Sequence, residues 1–410
     1  MTFMAPDAGI ATTQGTTTLA DVLHPIEVSH FLKTVQGSDF AYLRGEPDRF
    51  SHLLPWETIN RIVEQQRLAY PRLRLFMGGT RVPVQSYCRE MKDGGTTRLS
   101  VIGSEVTRAL RQGATLVIDS VEEMHEPLRE FAGDAEYHLR DSLQINAYAS
   151  CGTTNGFDLH YDDHDVLVIQ VAGSKHWTVY RPTRRYPLPG ESAFSKPPED
   201  EPIFDQVLTA GDVLYMPRGW WHVVVPRNEA SLHLTCSSMP RPAAHLLGWL
   251  GQRSRASERW RADLPLHRTA EEREAYLAGL REDLIAWLHE GIIDEFFDDL
   301  AASAPVRTRL GLPWMLESNP LSAGSDFCLV QVGRPVKREQ HEGDQIAVVA
   351  GGRKSAVDRR LAPLVDFILS HRQCPYDSLI QHAAAHGVRE PETRELLVAL
   401  VTDGIVTIAT

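Results

Sequence analysis

From about residue 114 to residue 240 the chain is cut into short β-branched runs by Gly and Pro, and that texture admits few folds. Leu143–Tyr148, Asp165–Val171, His176–Tyr180, Gly211–Tyr215, His222–Val225 and Ser231–Ser237 each have the length and composition of a strand. Many short strands in succession predict a sandwich or a barrel. Gly173-Ser-Lys175 reads as a hairpin turn between two of them, and Gly211-Asp212 opens the strand that leads to Pro217-Arg-Gly.

Three side chains in this region have the chemistry of metal ligands. Side chains alternate along an extended strand, so His160 and Asp162 project from one face. Such a pair is weak by itself, since polar loops carry it freely. Here, however, the run Gly211-Asp-Val-Leu-Tyr-Met-Pro-Arg-Gly-Trp-Trp-His222 ends in a third donor, on a strand well downstream of Asp162. Two imidazoles and one carboxylate cover one face of an octahedral ion and leave the other open, the ligand set of non-haem Fe(II) oxygenases. The competing reading is a set of satisfied polar residues in a barrel mouth. Asp163 and His164 would crowd the open face and read as rim residues, and Trp220 and Trp221 read as packing that excludes water.

An oxygen-activating iron needs a source of electrons. Three protein ligands leave three positions; a 2-oxo acid can fill two through its oxo group and adjacent carboxylate, with O2 taking the last. The far carboxylate of 2-oxoglutarate then needs a cation. No Arg or Lys lies between Arg227 and Arg241, so Lys175 is the best remaining one, although taken alone it reads as a solvated turn lysine. Asn146 either lines the pocket or is a core amide bonded to backbone. Thr235 and His233 share an inward phase, and either face co-substrate or form a polar ladder in a narrow barrel.

The flanks differ in character. Residues 1–27 read as a loose arm rich in Thr, Ala and Gly, with order beginning near Val28. Segments at Ser29 and Trp56 have helical spacing. Beyond Pro242, Thr269-Ala-Glu-Glu272 has the pattern of a capping box, and Leu277, Leu280, Leu284, Trp287 and Leu288 follow. That apolar face either packs on the barrel or pairs with a second copy. The tail carries three helical segments, over 358–370, 376–386 and 391–403, and a final strand, a winged-helix pattern. Residues 355–410 hold 5 Arg or Lys against 7 Asp or Glu. With a net charge of −12 for the whole chain, binding to duplex DNA is not expected. No apolar run is long enough for a membrane span. Five scattered cysteines and the lack of any Lys or Arg before Lys33 fit a cytoplasmic protein without a leader.

The runs Asn146-Ala-Tyr148, Asn155-Gly-Phe157, His160-Tyr-Asp162-Asp and Val168-Ile-Gln-Val-Ala-Gly-Ser-Lys175-His-Trp177, continued by Gly211–His222 and Ser231-Leu-His233-Leu-Thr235, resemble the JmjC-type (cupin-like) ribosomal oxygenases. The resemblance implies an α+β protein whose core is a double-stranded β-helix (jelly-roll) over 28–241. A helical dimerisation segment over 242–329 and a winged-helix domain over 330–410 would follow. It implies Fe(II), 2-oxoglutarate and O2 as cofactor and co-substrates, with His160, Asp162 and His222 on iron. Lys175 and Tyr148 would hold the 2-oxoglutarate carboxylate; Asn146 and Thr235 are further candidates from strand phase alone. The substrate would be an Arg or His side chain in a ribosomal protein. Two alternatives are a tailoring hydroxylase of a free amino acid, peptide or carrier-bound intermediate, and a non-catalytic metal-binding cupin or cupin isomerase.

Overall fold

The computed structural model describes residues 16–303 apart from 140, 192–195, 240 and 290, and also 307, 328–331, 337–340, 343–350, 352–371 and 373–409. The chain divides into a unit Gly9–Pro240 and a unit built mainly from Arg241–Thr410.

In the first unit an eight-stranded sheet runs, in spatial order, Ala41–Leu43, Val213–Met216, Asp165–Ala172, Ser231–Ser238, Leu143–Ser150, Thr115–Ile118, Leu73–Met77 and Thr80–Arg81. Facing it is a smaller sheet of Phe204–Thr209, Ser174–Tyr180 and Trp221–Pro226, extended by an isolated bridge from His222 to His160. Val166, Val168 and Leu214 from the large sheet meet Trp177, Val179 and Leu208 from the small one in a buried cluster. This is the expected jelly-roll.

The strand Asp165–Ala172 shows why its sequence is nearly all apolar. Val166 and Val168 face the small sheet, while Leu167, Ile169 and Val171 point the other way, into a second core. That core is closed by the helices Leu19–Leu23, Trp56–Gln65 and Glu126–Leu139, which contribute Leu23, Ile62 and Phe131. One strand thus serves two hydrophobic layers, and the barrel is braced from outside.

The structure departs from the sequence reading in three places. Gly173 is not in a hairpin: the strand before it pairs with Val213–Met216 and Ser231–Ser238, the strand after it with Phe204–Thr209 and Trp221–Pro226. It is the corner where the chain passes from one sheet to the other. Its φ is +62°, and a Cβ there would run into the Ala230 carbonyl oxygen, so only glycine makes the corner. Order begins before Val28, because Leu19–Leu23 is a helix closed by a Thr18–Asp21 capping box and buries Leu19, Val22 and Leu23; the arm expected over 1–15 lies outside the described residues. Lastly, the region expected as helices also supplies strands, including Leu73–Met77 and the hairpin Cys88–Asp93 with Thr96–Val101.

In the second unit, Thr269 and Glu272 cap the helix Ala270–Trp287 as their spacing predicts. Helices Ala362–Leu369, Tyr376–Ala385 and Glu390–Thr402 enclose Leu364, Leu379, Leu397 and Leu400, and the strand Val406–Ala409 pairs with Cys328–Gln331. No described helix is long and apolar enough to cross a membrane.

Candidate metal centre

His160 and His222, far apart in sequence, sit directly opposite each other on neighbouring extended segments. The His222 N–H donates to the His160 carbonyl at 2.7 Å, and the His160 N–H donates back at 3.2 Å. Gly219, in the turn before His222, donates its N–H to the Asp162 carbonyl at 2.9 Å. Backbone hydrogen bonds alone therefore hold all three residues in register.

The imidazoles are oriented by their other nitrogens. His160 Nδ1 lies 2.7 Å from the Asp158 carbonyl oxygen and His222 Nδ1 lies 3.2 Å from that of Trp220. A carbonyl can only accept, so each Nδ1 carries the hydrogen and each Nε2 presents a lone pair. The two Nε2 atoms lie 3.9 and 3.8 Å from the carboxylate oxygens of Asp162. Donor atoms of the three residues all fall within 4.8 Å of one another, and no second group of this kind occurs among the described residues. Burial, and then the neighbouring His160, pull the His222 pKa down to about 4, which leaves its ring neutral and able to ligate at pH 7. Two imidazoles and one carboxylate fit a divalent iron.

A cavity of about 230 Å³ opens onto these ligands and is also lined by Tyr148, Lys175 and Thr235. Lys175 is no surface lysine: it is 2% exposed. Its Nζ donates to the Tyr148 carbonyl at 3.2 Å and lies 2.9 Å from His233 Nδ1. Burial draws its pKa down from 10.5 to about 7. The Tyr148 hydroxyl is pushed above its ordinary range by burial, and next by the Asp162 charge, so it stays protonated and able to donate. A larger hollow of about 660 Å³, beside Thr17, Asp21 and His52, shares none of these residues.

Asn146 does not line the cavity. Its Oδ1 accepts from the Ser120 N–H at 3.0 Å, and its side chain bonds the Tyr148 hydroxyl, so it acts behind the wall. Trp220 and Trp221 are buried and absent from the lining; the Trp221 indole donates to Thr183 Oγ1 at 3.0 Å. The wall contains Trp177 and Phe157, to which the sequence reading gave no role, and His233, whose role it left open. Trp177 was open to inference, being two residues after Lys175 and so on the same strand face. It stacks on His222 at 5.9 Å and 24°.

The fold is JmjC-like (cupin-like), and the JmjC domain family model matches residues 128–246. Among curated proteins the chain is 28% identical over 230 residues to the bifunctional lysine-specific demethylase and histidyl-hydroxylase NO66 of Drosophila pseudoobscura pseudoobscura, covering 55% of this chain and 23% of that protein. It is 29% identical over 202 residues to ribosomal oxygenase 1 of Gallus gallus, covering 48% of this chain and 32% of that one. The chain thus spans less than half the length of these relatives. Among solved structures, YcfD, a ribosomal oxygenase from Escherichia coli, shares the fold with a TM-score of 0.58 at 18% identity, covering 94% of this chain and 99% of that one. Another YcfD structure, with a TM-score of 0.57 at 18% identity over 94% of this chain and 99% of that one, is in complex with cobalt and 2-oxoglutarate. Over the matched residues the chain is thus similar to JmjC-domain proteins, ribosomal oxygenases among them.

Proposed function

We propose that this chain is an Fe(II)- and 2-oxoglutarate-dependent hydroxylase of an Arg or His side chain in a protein, a ribosomal protein being the favoured class. The observation that carries the reading is one cavity holding both the His160–Asp162–His222 donor set and a buried lysine. His160, Asp162 and His222 would hold Fe(II), which supplies oxygen activation when bound together with 2-oxoglutarate and O2. Lys175 contributes a cation for the far carboxylate, the Tyr148 hydroxyl donates a hydrogen bond to it, and Thr235 lines its path. Asn146 keeps Tyr148 in place. Apolar wall residues such as Phe157 and Met216 exclude water, which strengthens each charged contact inside. The protein's part is placement of the diacid and of one substrate carbon.

The same reading takes the helical segment to make a homodimer, supported by Leu247, Ile285, Leu288 and Ile293, which are all exposed on its helices or just beyond them. The tail is read as a winged-helix domain that does not bind duplex DNA, in keeping with its acidic balance. Cys88, Cys151 and Cys236, none of them in a disulfide, accord with a reducing cytoplasm.

The test is mass spectrometry of ribosomal proteins from cells with and without the chain, paired with succinate formation by the purified protein. A hydroxylation that depends on the chain, and succinate lost in His160→Ala, are expected. Succinate formation with no altered ribosomal protein would move the substrate to a free amino acid or peptide; no succinate would end the oxygenase reading.

A further inference from the structure

One buried polar residue on the cavity wall has no task in the scheme above. His233 is 5% exposed and stands on Ser231–Ser238, directly opposite Tyr148 in the sheet register. Its ring lies flat on the Tyr148 ring at 4.8 Å and 7°, and edge-on to Trp177 at 5.5 Å and 68°. Nδ1 faces the Lys175 ammonium at 2.9 Å, a hydrogen bond from the large sheet to the small one.

An ammonium has three N–H donors. The Tyr148 carbonyl takes one and His233 Nδ1 takes a second, which leaves one for the cavity. The nature of the second acceptor matters. A carboxylate at that position would close an ion pair with Lys175 and repel an incoming dianion. A neutral nitrogen directs the ammonium and leaves its charge uncancelled. Burial, and next the Lys175 charge, hold His233 well below its ordinary pKa, so it accepts and never competes as a cation.

We propose that His233 is a positioning residue for co-substrate: a neutral, buried acceptor that aims Lys175 Nζ into the cavity with its charge available to a dianionic 2-oxo acid. The inference rests on the reading of Lys175 as the carboxylate anchor.

Asn and Asp have the same shape, and the oxygen of either can stand where Nδ1 stands. They differ in charge. The test is titration calorimetry of 2-oxoglutarate into the full chain loaded with Mn(II), for wild type, His233→Asn, His233→Asp and His233→Leu, with Mn(II) affinity and thermal midpoint measured alongside. The Asn variant should bind within about threefold of wild type, since a neutral acceptor is kept. The Asp variant should lose about 100-fold, since its carboxylate consumes the cation. Mn(II) affinity should be unchanged in both. Equal losses in Asn and Asp would mean a packing role and overturn the inference while leaving the co-substrate reading intact. If Asp prevents folding, the comparison of Asn with Leu decides: Leu, with no acceptor, should lose about tenfold against Asn, and equal affinities overturn the inference. A wild-type chain that binds Mn(II) but no 2-oxoglutarate removes both readings.

Discussion

Lys175→Met exchanges a buried ammonium for an apolar chain of similar length, and the consequence for stability can be worked out. A pKa drawn from 10.5 to about 7 by burial means that the charged form is disfavoured in the folded state by about 5 kcal/mol, at about 1.4 kcal/mol per tenfold in proton affinity. Below pH 7 both folded and unfolded chains carry the proton, so the full cost is present. Between pH 7 and 10.5 the unfolded chain holds a proton that the folded chain has released, and wild-type stability rises with pH. Met removes this cost but strands His233 Nδ1 without a donor, which takes back about 1–3 kcal/mol. At pH 6 the variant should therefore be more stable by about 2–4 kcal/mol, a midpoint rise of roughly 2–4 °C per kcal/mol for a unit of this size. By pH 9 the wild type has recovered about 3 kcal/mol, and the two should melt together. Thermal melts at both pH values, without 2-oxoglutarate, measure this; adding 2-oxoglutarate at about 100 times its Kd should then stabilise only the wild type, by about 2.7 kcal/mol. A variant less stable than wild type at pH 6, or a difference that does not change with pH, would refute the reasoning.

Other outcomes follow from the same geometry. Since Lys175 is mostly neutral at pH 8 in the empty cavity, and both Tyr148 and His233 keep their protonation, 2-oxoglutarate binding at that pH should take up close to one proton. Calorimetry in two buffers of different ionisation enthalpy measures it, and zero uptake contradicts the assignment. Gly79 has φ +73°, and a Cβ there would collide with the carboxylate of Asp158, whose carbonyl orients His160. Gly79→Ala should weaken Mn(II) binding by about 10–100-fold, read by titration; unchanged affinity would show that the orienting contact does not matter. Ile285→Glu together with Leu288→Glu should lower the mass found by light scattering from dimer to monomer, and a monomeric wild type would end the dimer reading.

The strands were legible because β-branched runs are broken by Gly and Pro, and His160, Asp162 and His222 because a His-x-Asp pair followed by a Gly-rich run ending in His is a local pattern, although His160 is held by an isolated bridge and Asp162 lies outside any strand. Gly173 misled for a physical reason. A glycine between two strands has the same local sequence whether the second strand folds back on the first or crosses to another sheet; partners much further along the chain, Val213–Met216 for one strand and Trp221–Pro226 for the other, decide it. Asn146 shares a strand phase with Tyr148 yet turns to the Ser120 amide, a partner no periodicity reveals. Phe204–Thr209 escaped notice because Asp205 and Gln206 face solvent on the outer strand of the small sheet. His233 was left undecided, since its meaning depends on a lysine from the other sheet.

The Gly173 corner brings the ligand and its counter-charge under one rule. In the ladder of the small sheet His222 is opposite Val179 and Pro226 opposite Lys175, so the imidazole donor and the ammonium sit at fixed rungs with Trp177 between them. A strand that must keep Lys175 facing inward can only slip by two residues, about 7 Å. The span between the His222 donor and the cation is therefore quantised. On the proposed reading, substitution would change how firmly a diacid is gripped, while the length of diacid accepted would be set by sheet register and change only in whole steps.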